Sequence, residues 1–227
     1  MARKKTFAVI GLGRFGNAVL TELIALNNEV LAIDVDEATV NDVVGIASHA
    51  LICDATEEQQ MINIGIKNID HVVVAIGENV QASILTSLIL KELEVKQITV
   101  KANNDNHERV LRKIGIDDII HPEADMGKRI ARRITSRIIS ETLELSKNYS
   151  LIEIKASGKI LRRSLDELDL RRKLGVNIVA IKRGEKIIVP DAKDTIMEKD
   201  ILIVVGSNQS LDKFEKQLLQ VVMPKRD

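Results

Sequence analysis

The chain has 227 residues, which at about 150 residues per domain leaves room for one full α/β domain and a smaller partner, not for one large barrel. Lys plus Arg is 33 and Asp plus Glu is 33, so the formal net charge is zero and the long-range field that bulk nucleic-acid binding relies on is missing; no nucleic-acid partner is expected. The hydrophobic set makes up 45% and aromatics only 2%, with no Trp, so the core has to be built from Ile, Val, Leu and Ala. The single Cys53 excludes an intramolecular disulfide and a multi-cysteine zinc site, and reads as a small buried hydrophobe in a cytosolic chain. The basic stretch Met1 to Lys5 leads into a short apolar run without a signal-peptide h-region and cleavage site. The longest apolar runs, Val72 to Ile76 and Ile201 to Val205, fall far short of the roughly 18 residues a membrane span requires.

From Phe7 to about His121, short β-branched runs alternate with longer helix-period segments, the pattern of βαβ units around a parallel sheet. Strands are predicted at Phe7 to Ile10, Val30 to Asp34, Ala50 to Cys53, Val72 to Ala75, Ile98 to Lys101 and Asp118 to Ile120. Together they make a six-stranded doubly wound domain over residues 1–124. Thr56 and Gln59 fit a capping box before Met61. After His121-Pro122, the spacing of Met126, Ile130, Ile134, Ile138 and Ile139 predicts one long helix from Asp125 to about Ser146, a separate segment over 125–148. Its basic residues Lys128, Arg129, Arg132, Arg133 and Arg137 read as a solvated face or as an anion-binding set. The apolar stripe of that helix has to be buried, by either domain or by a second subunit.

Residues 149–227 read as a smaller α+β domain. Strands are predicted at Leu151 to Lys155, Val176 to Lys182, Lys186 to Val189 and Asp200 to Val205, with Arg183-Gly184 as a tight turn. Ser164 and Glu167 make a capping box, and a helix from Ser210 to Leu219 closes the chain.

The main motif is Gly11, Gly13 and Gly16, a G-x-G-x-x-G that follows the first strand and opens a helix. In that context the glycines give a tight turn, close backbone approach to a pyrophosphate, and close packing of helix on strand. Asp34 ends the second strand 18 residues after Gly16, near the spacing expected for an acid that bonds a ribose hydroxyl and repels a 2′-phosphate. The helix N-terminus attracts an anion, and Arg14 and Phe15 lie within the loop, Arg14 as a phosphate-reaching cation or as an exposed arginine. The ligand is therefore an adenosine nucleotide or NAD(H). Two further strand ends point to the same crevice. These are Asp54-Ala55-Thr56, with Asp54 as a contact or as a turn residue, and Ala75-Ile76-Gly77; Lys101 at the end of the fifth strand adds a phosphate contact. Catalytic constellations are scarce: His49, His71, His107 and His121 fall on strand starts or loops with no partner at a recognisable spacing, and H-E-x-x-H, G-x-S-x-G and Walker A strings are absent from the sequence. A nucleotide site without a reaction partner reads as a sensor. An NAD-dependent dehydrogenase and a free nucleotide-sensing scaffold are the competing readings.

Four strings carry a resemblance: Phe7-Ala-Val-Ile-Gly-Leu-Gly-Arg-Phe-Gly16, Asp54-Ala-Thr-Glu57, Val74-Ala-Ile-Gly77 with Gln81-Ala-Ser83, and His121-Pro-Glu-Ala-Asp-Met-Gly127. Over essentially its whole length the chain resembles the KTN/RCK regulatory subunits of bacterial Trk/Ktr potassium uptake systems. The resemblance implies a Rossmann-like domain that binds ATP or ADP, in some members NAD or NADH, and a homodimer paired through the long helix and assembled into an octameric ring. It also implies an integral-membrane potassium-translocating partner of the KtrB/TrkH kind, on the cytoplasmic face of the membrane. By the same resemblance Glu123 lies near the nucleotide phosphates and helps bind a divalent cation, Mg or Ca. The C-terminal domain resembles the unit that binds cyclic di-AMP in several such proteins, with Arg171 facing phosphate, Asn177 and Ile178 at the base, Leu170 in the same segment, and Leu165 and Pro190 as apolar walls.

Overall fold

The computed structural model describes residues 5–135 and 138–219. The chain divides into two compact units, Met1–Glu123 and Ala124–Asp227.

In chain order the first unit is β1 (Thr6–Ile10), α1 (Arg14–Ala25), β2 (Glu29–Asp34), α2 (Glu37–Val43), β3 (His49–Ile52), α3 (Glu58–Asn63), β4 (His71–Val74), α4 (Val80–Glu92), β5 (Ile98–Lys101), α5 (Asp105–Lys113) and β6 (Asp118–Ile120). The strands form one parallel sheet in the order β3-β2-β1-β4-β5-β6. Alternation along each strand sends side chains to opposite faces, so the sheet carries two cores. Val9, Ala32 and Val73 pack with Leu20 of α1 and Val40 and Val43 of α2. On the other face Ile10, Ile33, Val72 and Val74 pack with Met61, Leu90 and Leu111. Cys53 is buried in this second core, and burial pushes its thiol above the usual range. The order reverses between β1 and β4, and ligands of open α/β sheets sit beyond the C-terminal strand ends at such a switch point.

The next element is α6 (Pro122–Thr135), followed by β7 (Ile139–Ser146). The single long helix predicted through Ser146 is thus replaced by a shorter helix and a strand. The i, i+4 spacing of Ile130, Ile134 and Ile138 runs past the helix end, while the alternation in Glu141-Thr-Leu-Glu-Leu145 is a strand pattern that wins once a partner strand is present. β7 pairs with β8 (Tyr149–Lys155) across the two-residue turn Lys147-Asn148. Met126, Ile130 and Ile134 remain exposed, whereas Ile138 and Ile139 pack on the core of the second unit. Arg129 is ion-paired with Glu141 at 2.9 Å and Lys128 with Asp125 at 3.6 Å; Arg133 is exposed, and the Arg132 side chain and Arg137 lie outside the described residues.

The second unit continues with α7 (Leu165–Leu168), α8 (Leu170–Leu174), β9 (Val176–Arg183), β10 (Lys186–Ile188), β11 (Ile201–Ser207) and α9 (Asn208–Leu219). Its antiparallel sheet runs β10-β9-β11-β8-β7 and packs Ile152, Ile154, Ile181, Leu202 and Val204 against Phe214 and Leu218 of α9. The predicted capping box at Ser164 and Glu167 is present. The hairpin turn shifts by one residue to Gly184-Glu185, because Arg183 is held within β9. Arg183 donates from Nε and Nη2 to the two carboxylate oxygens of fully buried Asp200, each at 2.8 Å, and from Nη2 to the Thr195 carbonyl at 3.0 Å. The guanidinium, and after it the Met197 N–H at 2.8 Å, holds the Asp200 carboxyl below its usual range.

Candidate functional site

The site is assembled at the C-terminal ends of the first unit's strands. Gly11 leaves β1 with φ +91°, and a Cβ there would stand 2.9 Å from the Ile76 backbone nitrogen. A Cβ on Gly16 would stand 1.9 Å from the Gly11 carbonyl oxygen, so only glycine permits this turn. Gly13 is different: a Cβ there meets nothing within 4 Å. It precedes α1, whose N-terminus has no side-chain cap and no acidic residue in its first turn. The amides of that turn therefore have no capping side chain and the positive end of the helix dipole has no acid beside it in the turn, the kind of helix N-terminus that attracts an anion.

Asp34 ends β2 beside this loop. Its Oδ2 accepts the Leu12 N–H at 2.7 Å and its Oδ1 accepts the Asp36 N–H at 3.1 Å. The carboxylate is thus oriented by two backbone donors and keeps further lone pairs as acceptors. Ala75 is nearly buried and donates its N–H to the Ile10 carbonyl at 2.7 Å, which holds the β4 end against the glycine turn.

A group of charges closes the other side. Lys101, with a side chain only 11% exposed, donates from Nζ to Glu123 Oε1 at 2.6 Å. The same Nζ lies 5.7 Å from the centroid of the Phe15 ring and 3.7 Å from where a Cβ on Gly77 would be. The Glu123 carboxyl is held below its usual range, first by the hydrogen bond from Lys101, then by its own backbone N–H, with the positive field of Arg14 a smaller contribution. Gly11, Gly13, Arg14, Phe15, Gly16, Asp34, Ala75, Gly77, Lys101 and Glu123 therefore gather at the C-terminal ends of β1, β2, β4 and β5 and at the start of the helix that follows β6.

The Asp54 segment forms a local turn. Asp54 Oδ1 accepts the Thr56 N–H at 2.9 Å and its hydroxyl at 2.7 Å, while Ala55 is buried in the core. Asp54 is thus a turn residue here, and the predicted Thr56 to Gln59 capping box gives way to a helix α3 that starts at Glu58 with Glu57 as its cap. In the second unit, Arg171 on α8 and Asn177 on β9 are exposed, and Leu165 and Pro190 are half-buried. Leu170 and Ile178, each 8% exposed, pack with the core of the second unit.

The sequence reading missed Asn103. Its Nδ2 donates to the Gly77 carbonyl and ties the β5 and β4 ends together. The signal was there in Asn103-Asn104, two turn-forming residues at a strand end, of which Asn104 caps α5. The histidines also have partners the spacing did not reveal. His71 Nε2 is 2.7 Å from the Thr99 hydroxyl, which bonds Asp118; His121 Nε2 is 2.8 Å from Glu108; and His107 lies buried within α5, not on a strand start or loop.

The TrkA-N domain matches residues 7–122 and the TrkA-C domain matches residues 149–219. Ktr system potassium uptake protein C of Bacillus subtilis is 56% identical over 217 residues, which is 95% of this chain and 98% of that protein. The chain belongs to the Trk/Ktr family of potassium-uptake regulatory subunits. Ktr system potassium uptake protein A of Bacillus subtilis is 44% identical over 95% of this chain and 97% of that protein. The Trk/Ktr assignment agrees with the fold: the crystal structure of the GsuK RCK domain superposes with a TM-score of 0.66 at 12% identity, covering 99% of this chain. The chain spans about half of that solved chain, 49%. As in the Trk/Ktr architecture, a doubly wound domain is followed by a smaller α+β one, and among the described residues no helix is long and apolar enough to cross a membrane.

Proposed function

We propose that this Trk/Ktr family chain is the nucleotide-sensing gating subunit of a potassium transporter, binding ATP or ADP in the crevice of its first unit. The observation that carries the reading is the convergence of three features: a pre-oriented Asp34 for a ribose, an uncapped helix N-terminus beside the open Gly13, and a cationic pair, Arg14 and Lys101, where phosphates would extend. ATP and ADP differ by one phosphate, and the Lys101–Glu123 pair is placed to register it. A phosphate that takes Lys101 competes with Glu123, and the released carboxylate becomes available to a divalent cation, Mg or Ca. Glu123 would hold such a cation through its carboxylate, and the cation would supply charge neutralisation at the phosphates. The site reads as a sensor: its residues are suited to bind and orient a nucleotide, and its charge pair, Lys101–Glu123, is the part that exchanges partners on binding.

A nucleotide that binds one arrangement of an assembly more tightly biases that arrangement. In this reading the chain is a homodimer within an octameric ring, the exposed stripe Met126, Ile130 and Ile134 lies between subunits, and the ring acts from the cytoplasmic face on an integral-membrane potassium-translocating subunit. The Ktr relatives, components of potassium uptake systems, support a membrane partner. Arg171 and Asn177, exposed and on neighbouring elements of the second unit, are the side chains offered to cyclic di-AMP as a second effector. NAD(H) is the alternative ligand of the first crevice, because Asp34 serves any adenosine ribose.

Calorimetric titration of the purified chain with ATP, ADP, NADH and cyclic di-AMP tests the reading, alongside co-purification with the potassium-translocating subunit. ATP and ADP should bind with distinct heats, both lost in Asp34→Ala. Binding of NADH alone would move the function to a redox sensor and remove the role given to Arg14.

A further inference from the structure

Behind Gly77 lies a short chain of hydrogen bonds that ends in the core. Asn103 Nδ2 donates to the Gly77 carbonyl, the Asn103 backbone N–H donates to His107 Nδ1 at 3.3 Å, and the backbone N–H of His107 donates to Asn104 Oδ1 at 3.0 Å. His107 is only 2% exposed, and its Nε2 is buried with no hydrogen-bond partner among the described residues. A neutral imidazole that accepts at Nδ1 carries its proton on Nε2. The proton therefore sits on the nitrogen that gains no hydrogen bond from it, and a buried unpaired donor is destabilising. An aliphatic side chain such as Leu111, the other buried residue of α5, fills such a place without that cost. What a leucine lacks is the acceptor at Nδ1.

We propose that His107 is a positioning residue of the nucleotide crevice. Its Nδ1 fixes the turn between β5 and α5, so that Asn103 clamps the Gly77 carbonyl and holds the loop after β4 in the shape a ligand meets. The ligand in this statement rests on the proposed nucleotide reading; the tie from His107 to Gly77 does not.

Hydrogen–deuterium exchange of the ligand-free full chain tests the tie, and calorimetry with ADP tests its effect. His107→Leu should raise exchange in residues 76–79 and weaken ADP binding, each by about fivefold or more, the size expected for loss of one hydrogen bond. His107→Asn, whose Oδ1 stands close to where Nδ1 stood, should restore both, which filling the core alone does not achieve. Asn103→Ala, an exposed substitution, should loosen the same loop and leaves the proposal testable if His107→Leu fails to fold. Unchanged exchange at 76–79 in Asn103→Ala, or in a folded His107→Leu, overturns the proposal, and so does failure of His107→Asn to restore it. If wild type binds no ADP, the nucleotide reading fails while the exchange result still decides the tie.

Discussion

Lys101 and Glu123, 22 positions apart in sequence, meet at 2.6 Å beside the Phe15 ring, at the place where the first unit ends and α6 begins. The lysine is largely buried and the glutamate 70% exposed, so the carboxylate is the partner free to leave. Lys101→Met should weaken ATP binding about tenfold or more, the loss of one charge-assisted contact. Glu123→Gln should strengthen ATP binding without divalent cations, because Lys101 is then unopposed, and should remove any gain on adding Mg or Ca. Titrations of the two variants with and without EDTA check both; a Glu123→Gln protein that keeps its cation dependence would exclude Glu123 from the cation site.

The glycine loop allows ligand effects to be separated from folding effects. Gly16→Ala places a methyl 1.9 Å from the Gly11 carbonyl oxygen and should prevent the first unit from folding normally. Gly13→Ala meets open space and should change the melting temperature by only a few degrees, yet lower nucleotide affinity about tenfold or more by filling the anion's place. Circular dichroism melts with calorimetry on both variants check this, and full affinity in Gly13→Ala would move the phosphates elsewhere.

In the second unit, Arg183→Ala strands the buried Asp200 carboxylate, with the Met197 N–H as its remaining donor among the described residues. The expected loss is about 3 kcal/mol, the low end for an orphaned buried charge, because Arg183 is itself 42% exposed and water already reaches the pair. Denaturant unfolding of Arg183→Ala and of the double variant Arg183→Ala with Asp200→Asn measures it. The double variant should recover part of the loss, since no charge is then left buried.

Asp70 sets an acid-side limit on the first unit. The Thr6 N–H at 3.1 Å, then Lys96 at 3.2 Å, bring its carboxyl from 3.8 down to about 2. A folded-state value below the unfolded one contributes stability that is complete above about pH 4 and is lost as pH falls through about 2. Asp70→Asn should flatten that part of the stability profile and leave the profile above pH 5 parallel to wild type. Thermal melts from pH 2 to 7 check the slope.

What the sequence made legible was local. β1, β4 and β5 are β-branched runs bounded by turns, and the glycine loop with Asp34 follows a spacing set by the geometry of one βαβ unit. Features that depend on distant partners were illegible. β7 looks helical until β8 folds back on it, and Asp54 takes the Thr56 amide and hydroxyl that would have served a capping box. His71 meets Thr99 across 28 positions, a separation that only strand order creates. Nor did any pattern show that Leu170 and Ile178 would be claimed by the core, since exposed and buried apolar residues look alike in sequence.

Tyr149, at the start of β8 beside the Lys147-Asn148 turn, is the sole tyrosine in a chain without tryptophan. Phenol emission therefore reports on the second unit alone, while backbone ellipticity reports on both. Heated or titrated with urea, the protein carries its own test of whether its two halves melt as one: coincident optical and ellipticity transitions mean a single cooperative system, and separated ones mean that each half holds its own thermodynamic identity.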